Sequence, residues 1–161
     1  MDLFSEIEND LPLIFKDIGG GNVAYKCGFL NEVEASSLFI KLKREVNWQQ
    51  ESMMMSGKEI NFPRLISWYA DESLNYSFSG ITMKPHTWTN ELLEIKTKVE
   101  DLVGSTFNSL LINYYRSGMD SISWHQDNEK EFGVNPVIAS VSLGSERTFK
   151  LRRINDTAQV I

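Results

Sequence analysis

Two helical periods are separated by runs whose apolar residues recur at a shorter interval. Ala35, Leu38, Phe39, Leu42 and Val46 fall at i, i+3, i+4, i+7 and i+11, the spacing that gathers them on one helical face. Just ahead, Asn31 and Glu34 have the spacing of a capping box, in which each side chain serves the other's backbone N–H. A second stripe, Trp88, Leu92, Ile95, Val99 and Leu102, predicts a helix over about 88–103 that Gly104 stops. Both helices read as packing elements. Elsewhere the pattern suits strands: 23–29, 62–69 and 76–80, the last two around the turn at 70–73. Residues 107–115 place Leu111, Asn113 and Tyr115 on one strand face, with Leu110, Ile112 and Tyr114 on the other. A turn at 116–120 leads to a strand over 121–127 and a loop over 131–136. A strand over 137–143, a tight turn at 144–146 and a partner strand over 147–153 follow, and 158–161 opens another strand. Two supporting helices followed by short strands at hairpin spacing predict an α+β protein with a jelly-roll-like sheet core.

Composition narrows the class. A chain of 161 residues, 42% hydrophobic and with four tryptophans, has enough apolar side chains for one globular core. The single cysteine, Cys27, has no partner for an internal disulfide, and no charged-then-apolar leader is present. No apolar run approaches the roughly 20 residues that span a bilayer. Together these suit a reduced cytoplasmic protein, or a nuclear one in a eukaryote. The net charge of −6 argues against a general polyanion binder, yet it is unevenly spread. Residues 1–40 hold seven acids against Lys16 and Lys26, leaving fifteen acids against fourteen bases in the rest. Residues 1–21 therefore read as an acidic arm ending in a Gly-rich joint, Gly19–Gly20–Gly21, and 22–161 as the folded domain. Arg147, Lys150, Arg152 and Arg153 form a late basic cluster, which suits a solvated strand face or a phosphate backbone.

Candidate chemistry starts at Ser123–Trp124–His125–Gln126–Asp127. On an extended backbone His125 and Asp127 share one face, with Cα atoms roughly 6.6 Å apart at about 3.3 Å per residue. An imidazole and a carboxylate so placed supply two of the three ligands of a facial triad for non-haem Fe(II), although an exposed polar strand end is the commoner use of such a tripeptide. Met53–Met54–Met55–Ser56–Gly57–Lys58 reads as a loop whose methionines fill core gaps; the alternative is an exposed apolar finger that wedges between stacked bases. Tyr76 and Phe78 alternate with Ser77 and Ser79, a pattern for a core strand or for a surface that stacks on a flat substrate.

Several stretches together resemble the AlkB family of Fe(II)- and 2-oxoglutarate-dependent dioxygenases, especially its nucleic-acid demethylases. They are F-P-R (62–64), Y-S-F-S-G (76–80), L-I-N-Y-Y-R-S-G-M-D (111–120), W-H-Q-D-N-E (124–129) and I-A-S-V-S-L-G-S-E-R-T-F (138–149), in the family's order. The resemblance implies a double-stranded β-helix, whose N-terminal part would cover about 107–161, preceded by a nucleotide-recognition region at about 50–80. It implies iron ligation by His125 and Asp127, and 2-oxoglutarate binding by Asn113 and Tyr115. Phe78 would stack on the flipped base, with Arg64, Tyr76, Ser79 and Glu129 also lining the substrate pocket. Met55 and Ser56 lie where nucleic-acid-acting relatives carry a base-probing loop. Asn128 stands where many relatives have aspartate, so the preferred base does not carry over. The chemistry implied is oxidative dealkylation of alkylated DNA or RNA bases, of the DNA-repair type, with an N-methyl group leaving as formaldehyde. Extruding such a base from a duplex costs a few kcal/mol, least for a damaged pair.

The family's third ligand, a later histidine, and the arginines that bind the far carboxylate of 2-oxoglutarate have no counterpart before Ile161; the only other histidine is His86. The jelly roll is accordingly expected to be incomplete. A fragment, a truncated product and a half completed by another chain all fit. Rival functions are a non-catalytic nucleic-acid-binding relative and a scaffold that reuses the fold without iron.

Overall fold

A computed structural model describes residues 13–17, 21–71, 76–78, 81–127, 132–152 and 159–160. The chain divides into two units, Met1–Leu42 with Val141–Ile161, and Lys43–Ser140. The sheets described are five antiparallel strand pairs.

In the first unit β1 (Ile14–Asp17) pairs with β2 (Asn22–Tyr25), so a segment expected within an arm supplies a strand. Helix α1 (Glu32–Glu45) begins at the expected capping box: Asn31 Oδ1 accepts from the Glu34 N–H at 2.9 Å, and Glu34 Oε2 from the Asn31 N–H at 3.4 Å. Ala35, Leu38, Phe39 and Leu42 are half-buried, whereas Val33 and Ile40, off the stripe, are exposed. Gly144 adopts φ +83°, and a Cβ there would come within 3.1 Å of the Phe39 ring.

The second unit is built around β5 (Leu65–Ala70), in which every residue after Leu65 is buried. One edge pairs with β8 (Ser109–Tyr114) from Leu65↔Tyr114 to Ala70↔Ser109. The other edge is met by single bridges: Ile66 exchanges both backbone bonds with Gln49, while the His86 backbone donates to Trp68 and accepts from Ala70. Buried on both faces, this strand reads as a near-continuous apolar run rather than an alternating one. Phe62, Ile66, Trp68 and Ala70 form the core, with Met53 and Leu111 packed against it. Ser67, 1% exposed, has no hydrogen-bond partner for its hydroxyl among the described residues.

Residues 52–61 form a hairpin rather than the expected loop, β3 (Ser52–Met55) on β4 (Lys58–Asn61). Ser56 and Gly57 both have positive φ, 51° and 78°, as a two-residue hairpin turn matched to strand twist requires. Its methionines divide: Met53 packs on the core and Met54 is exposed. Strand β6 (Tyr76–Phe78) pairs with β7 (Ile81–Met83). Helix α2 (Asn90–Val103) starts later than expected, since Thr89 is its extended N-cap and Trp88 lies outside it. Leu92 and Val99 are its buried stripe, and Gly104 in the left-handed region closes it with a bond to the Glu100 carbonyl, as predicted.

Two expectations fail. Residues 121–127 are not a strand, nor are 137–143, and of the partner strand expected over 147–153 only β9 (Lys150–Leu151) forms among the described residues, pairing with β10 (Gln159–Val160) instead. Val137, Ile138 and Phe149 have strand-forming side chains yet are more than half exposed. Strand preference describes a fit to a pleated, half-buried surface, and no described segment offers one there.

Candidate active site

The site lies where β8 ends and the chain turns back past the start of β5. Asn113 is the penultimate residue of β8, opposite Ile66, and Tyr115 follows the strand directly. Both are half-buried. Arg64, 4% exposed, sits immediately before β5. Its Nε donates to Asn113 Oδ1 at 2.8 Å, and its guanidinium stacks 4.8 Å from the centroid of the Phe62 ring. Burial pushes the Arg64 pKa down, opposed by the neighbouring Tyr115 hydroxyl.

A tight turn then delivers the next segment. Asp120, buried, accepts from the Arg116 backbone N–H at 2.9 Å and from its Nε and Nη2 at 2.7 and 2.9 Å. The bond to Asp120 holds the Arg116 guanidinium pKa above its usual value. The Ser121 N–H donates to the Pro63 carbonyl at 2.8 Å, so the segment is pinned one residue from Arg64.

His125 and Asp127 follow on exposed, irregular backbone, and their side chains nevertheless converge, with His125 Nε2 lying 3.5 Å from Asp127 Oδ1. His125 Nδ1 is 2.9 Å from the Ser123 carbonyl, which can only accept, so Nδ1 carries a proton. In the neutral ring Nε2 then keeps its lone pair and faces the carboxylate. Two ligand atoms about 2.1 Å from one ion, at a right angle, stand roughly 3 Å apart, close to the spacing observed. An imidazole nitrogen with a carboxylate oxygen suits Fe(II) as a donor set. Among the described residues no group of three His, Cys, Asp or Glu side chains could hold a metal. His86 is tied to β5 through its backbone, and its ring lies tilted against Tyr69, centroids 5.5 Å apart.

The remaining candidates are only partly placed. Tyr76 and Phe78 lie in β6, paired with Met83 and Ile81. Met55 ends β3 and Ser56 begins the hairpin turn. Ser79 and Glu129 lie outside the described residues. Residue types alone gave no sign of Asp120, a buried carboxylate that organises the turn; its i+4 spacing from Arg116 was the available signal. No helix among the described residues is long and apolar enough to cross a membrane.

The model of the 2OG-Fe(II) oxygenase superfamily matches residues 22–161. The chain belongs to that superfamily. Its AlkB-like character is borne out by the curated relatives. It is 42% identical over 127 residues to "Alpha-ketoglutarate-dependent dioxygenase alkB homolog 3" of Bos taurus, covering 78% of this chain and 44% of the relative. The Homo sapiens protein of that name is 39% identical over 136 residues, 84% of this chain and 47% of the relative. "DNA oxidative demethylase ALKBH2" of Homo sapiens is 38% identical over 124 residues, 75% of this chain and 48% of the relative. The chain therefore spans about half the length of the curated relatives it matches. The superfamily is named for its two cofactors, Fe(II) and 2-oxoglutarate. Both fit the residues described: an imidazole–carboxylate pair faces one point, and an Asn/Tyr pair lies beside a buried arginine.

Proposed function

We propose that this chain is the part of an Fe(II)/2-oxoglutarate-dependent dioxygenase that begins the active site, acting on alkylated nucleic acid bases. The observation that carries the reading is the approach of His125 Nε2 and Asp127 Oδ1 on a segment without regular structure, with the ring's tautomer set by the Ser123 carbonyl. That is how a metal-binding histidine is usually oriented, its second nitrogen held by a backbone or carboxylate oxygen. His125 and Asp127 would hold the iron. Asn113 and Tyr115 would orient 2-oxoglutarate through hydrogen bonds, in a wall that the β5–β8 ladder keeps rigid. When bound, the iron and the oxo-acid supply oxidative chemistry with dioxygen as co-substrate. Phe78 would stack on the extruded base, with Tyr76, Ser79 and Glu129 nearby, and Met55–Ser56 would probe the duplex. The fold proposed is a jelly roll of which this chain supplies the N-terminal part, with the antiparallel β5–β8 pair at its centre. The relatives' printed names, a dioxygenase and a DNA oxidative demethylase, support this class of activity.

One observation favours a second reading. With no third ligand among the described residues, the chain by itself would be a nucleic-acid-binding relative without catalysis, or would need a complementing chain. Anaerobic addition of Fe(II) and 2-oxoglutarate decides between the readings. A metal-to-ligand charge-transfer band, then formaldehyde from a methylated oligonucleotide in air, is expected of the enzyme. Oligonucleotide binding with neither signal would establish the non-catalytic reading, and its salt dependence would show how many phosphates are engaged.

A further inference from the structure

Arg64 is a buried cation without a described counter-ion. Its only described partners are the Asn113 amide oxygen and the Phe62 ring, and no carboxylate among the described residues reaches it. Burying such a charge is costly unless the site supplies compensation. Its place in the fold is also specific. The β5–β8 ladder brings Arg64 to Asn113 across 49 residues of sequence, and the Phe62 ring lies 4.8 Å from the guanidinium carbon.

An arginine can donate but not accept, so the Asn113 group facing Nε must be Oδ1. The amide is thereby turned one way round, with its NH₂ directed away from Arg64 and able to donate elsewhere. Tyr115 follows the strand directly and is near enough to act electrostatically on Arg64. A dianionic oxo-acid here would meet donors from both residues and the field of the buried cation behind them.

We propose that Arg64 is a positioning residue for the oxo-acid site: it sets the Asn113 amide so that the NH₂ faces the acid, and its buried charge favours a dianion. This rests on the reading of Asn113 and Tyr115 given above and departs from a direct contact between Arg64 and the base. With Nε engaged and only 4% of its surface exposed, Arg64 is poorly placed to reach a nucleotide.

The test is a double-mutant cycle read by binding rather than turnover. 2-Oxoglutarate is titrated calorimetrically into the full chain with Mn(II) in place of oxidisable iron. Arg64→Gln should weaken binding about tenfold, the low end of what an orienting partner contributes at such sites. In an Asn113→Ala background the same substitution should change affinity by less than about twofold, because its route is gone. Affinity for a methylated oligonucleotide without 2-oxoglutarate should be unchanged. Arg64→Lys keeps the charge but loses the rigid fork, so it should bind nearly as weakly as Arg64→Gln. Separately, the Asn113 side-chain amide resonances should move in Arg64→Gln before any ligand is added, which checks the orientation even in a variant of reduced stability. Equal effects of Arg64→Gln in both backgrounds, unmoved amide resonances, full affinity in Arg64→Lys, or a loss confined to the oligonucleotide each overturn the inference. A wild-type chain that binds no 2-oxoglutarate overturns the underlying reading as well; one that binds it while Arg64→Gln binds equally well overturns this inference alone.

Discussion

The two halves of the candidate site are held in opposite ways. Asn113 belongs to a paired ladder, with Arg64 and Tyr115 at its end, whose central strand has neighbours on both edges and buried residues on both faces. His125 and Asp127 lie eleven and thirteen residues past Tyr114, the end of β8, on exposed backbone held by a carboxylate-centred turn and a bond to Pro63. The first half is preorganised by packing, where a displaced atom costs contacts throughout the core. The second is preorganised locally, so its geometry depends on few bonds, and a bound ion would add a constraint the backbone lacks. Stability and metal affinity should therefore respond to different substitutions.

The sharpest way to break that contrast is to damage the ladder. Trp68→Ala should cost about 3–5 kcal/mol, as removal of a large buried aromatic does, and unfold much of the second unit in a urea titration. A loss below 1 kcal/mol would mean that β5 is not the centre of the packing. Gly144→Ala, in the other unit, should cost about 1–2 kcal/mol, because φ +83° disfavours a side chain and the new Cβ would crowd Phe39. Thermal unfolding checks it, and an unchanged midpoint would show that this turn is free to move. Ser67→Ala should stabilise by up to about 1 kcal/mol, since it removes a buried hydroxyl for which the described residues supply no partner. Destabilisation would reveal a partner for that hydroxyl. The smallest effect on stability belongs to the exposed half: Asp127→Ala should alter unfolding by less than about 0.5 kcal/mol while sharply weakening Fe(II) or Mn(II) retention in equilibrium dialysis. If it unfolds the chain, the segment is structural and the contrast fails.

How much of this was legible in the sequence depends on which physical rule governed each stretch. Both helices were readable because their ends carry local chemistry: Asn31 with Glu34, and Gly104 with its left-handed backbone. The strand that carries Asn113 was readable because alternation is a property of the strand alone, and Tyr115 follows it directly. The hairpin at 52–61 was missed because methionines and the consecutive charges Lys58 and Glu59 are poor strand markers; the Ser56–Gly57 dipeptide was the turn signal that should have outweighed them. The strands expected over 121–127, 137–143 and the first part of 147–153 failed for a different reason. A strand requires a partner, and partnership is a long-range fact that side-chain preference does not encode. The approach of His125 to Asp127 was anticipated from a regular strand, yet it occurs on irregular backbone. The bond between Arg64 and Asn113 was not legible at all, since it joins residues that only the ladder register brings together.

The imidazole of His125 takes its orientation from a carbonyl, an atom that every amino acid possesses. Whatever side chain occupies position 123, the same oxygen remains to hold the ring, so mutation there is free to tune polarity or bulk at the rim without changing which nitrogen is offered inward. A replacement that alters the course of the main chain, such as proline at Trp124, would instead rotate that oxygen away and let the ring choose its own tautomer.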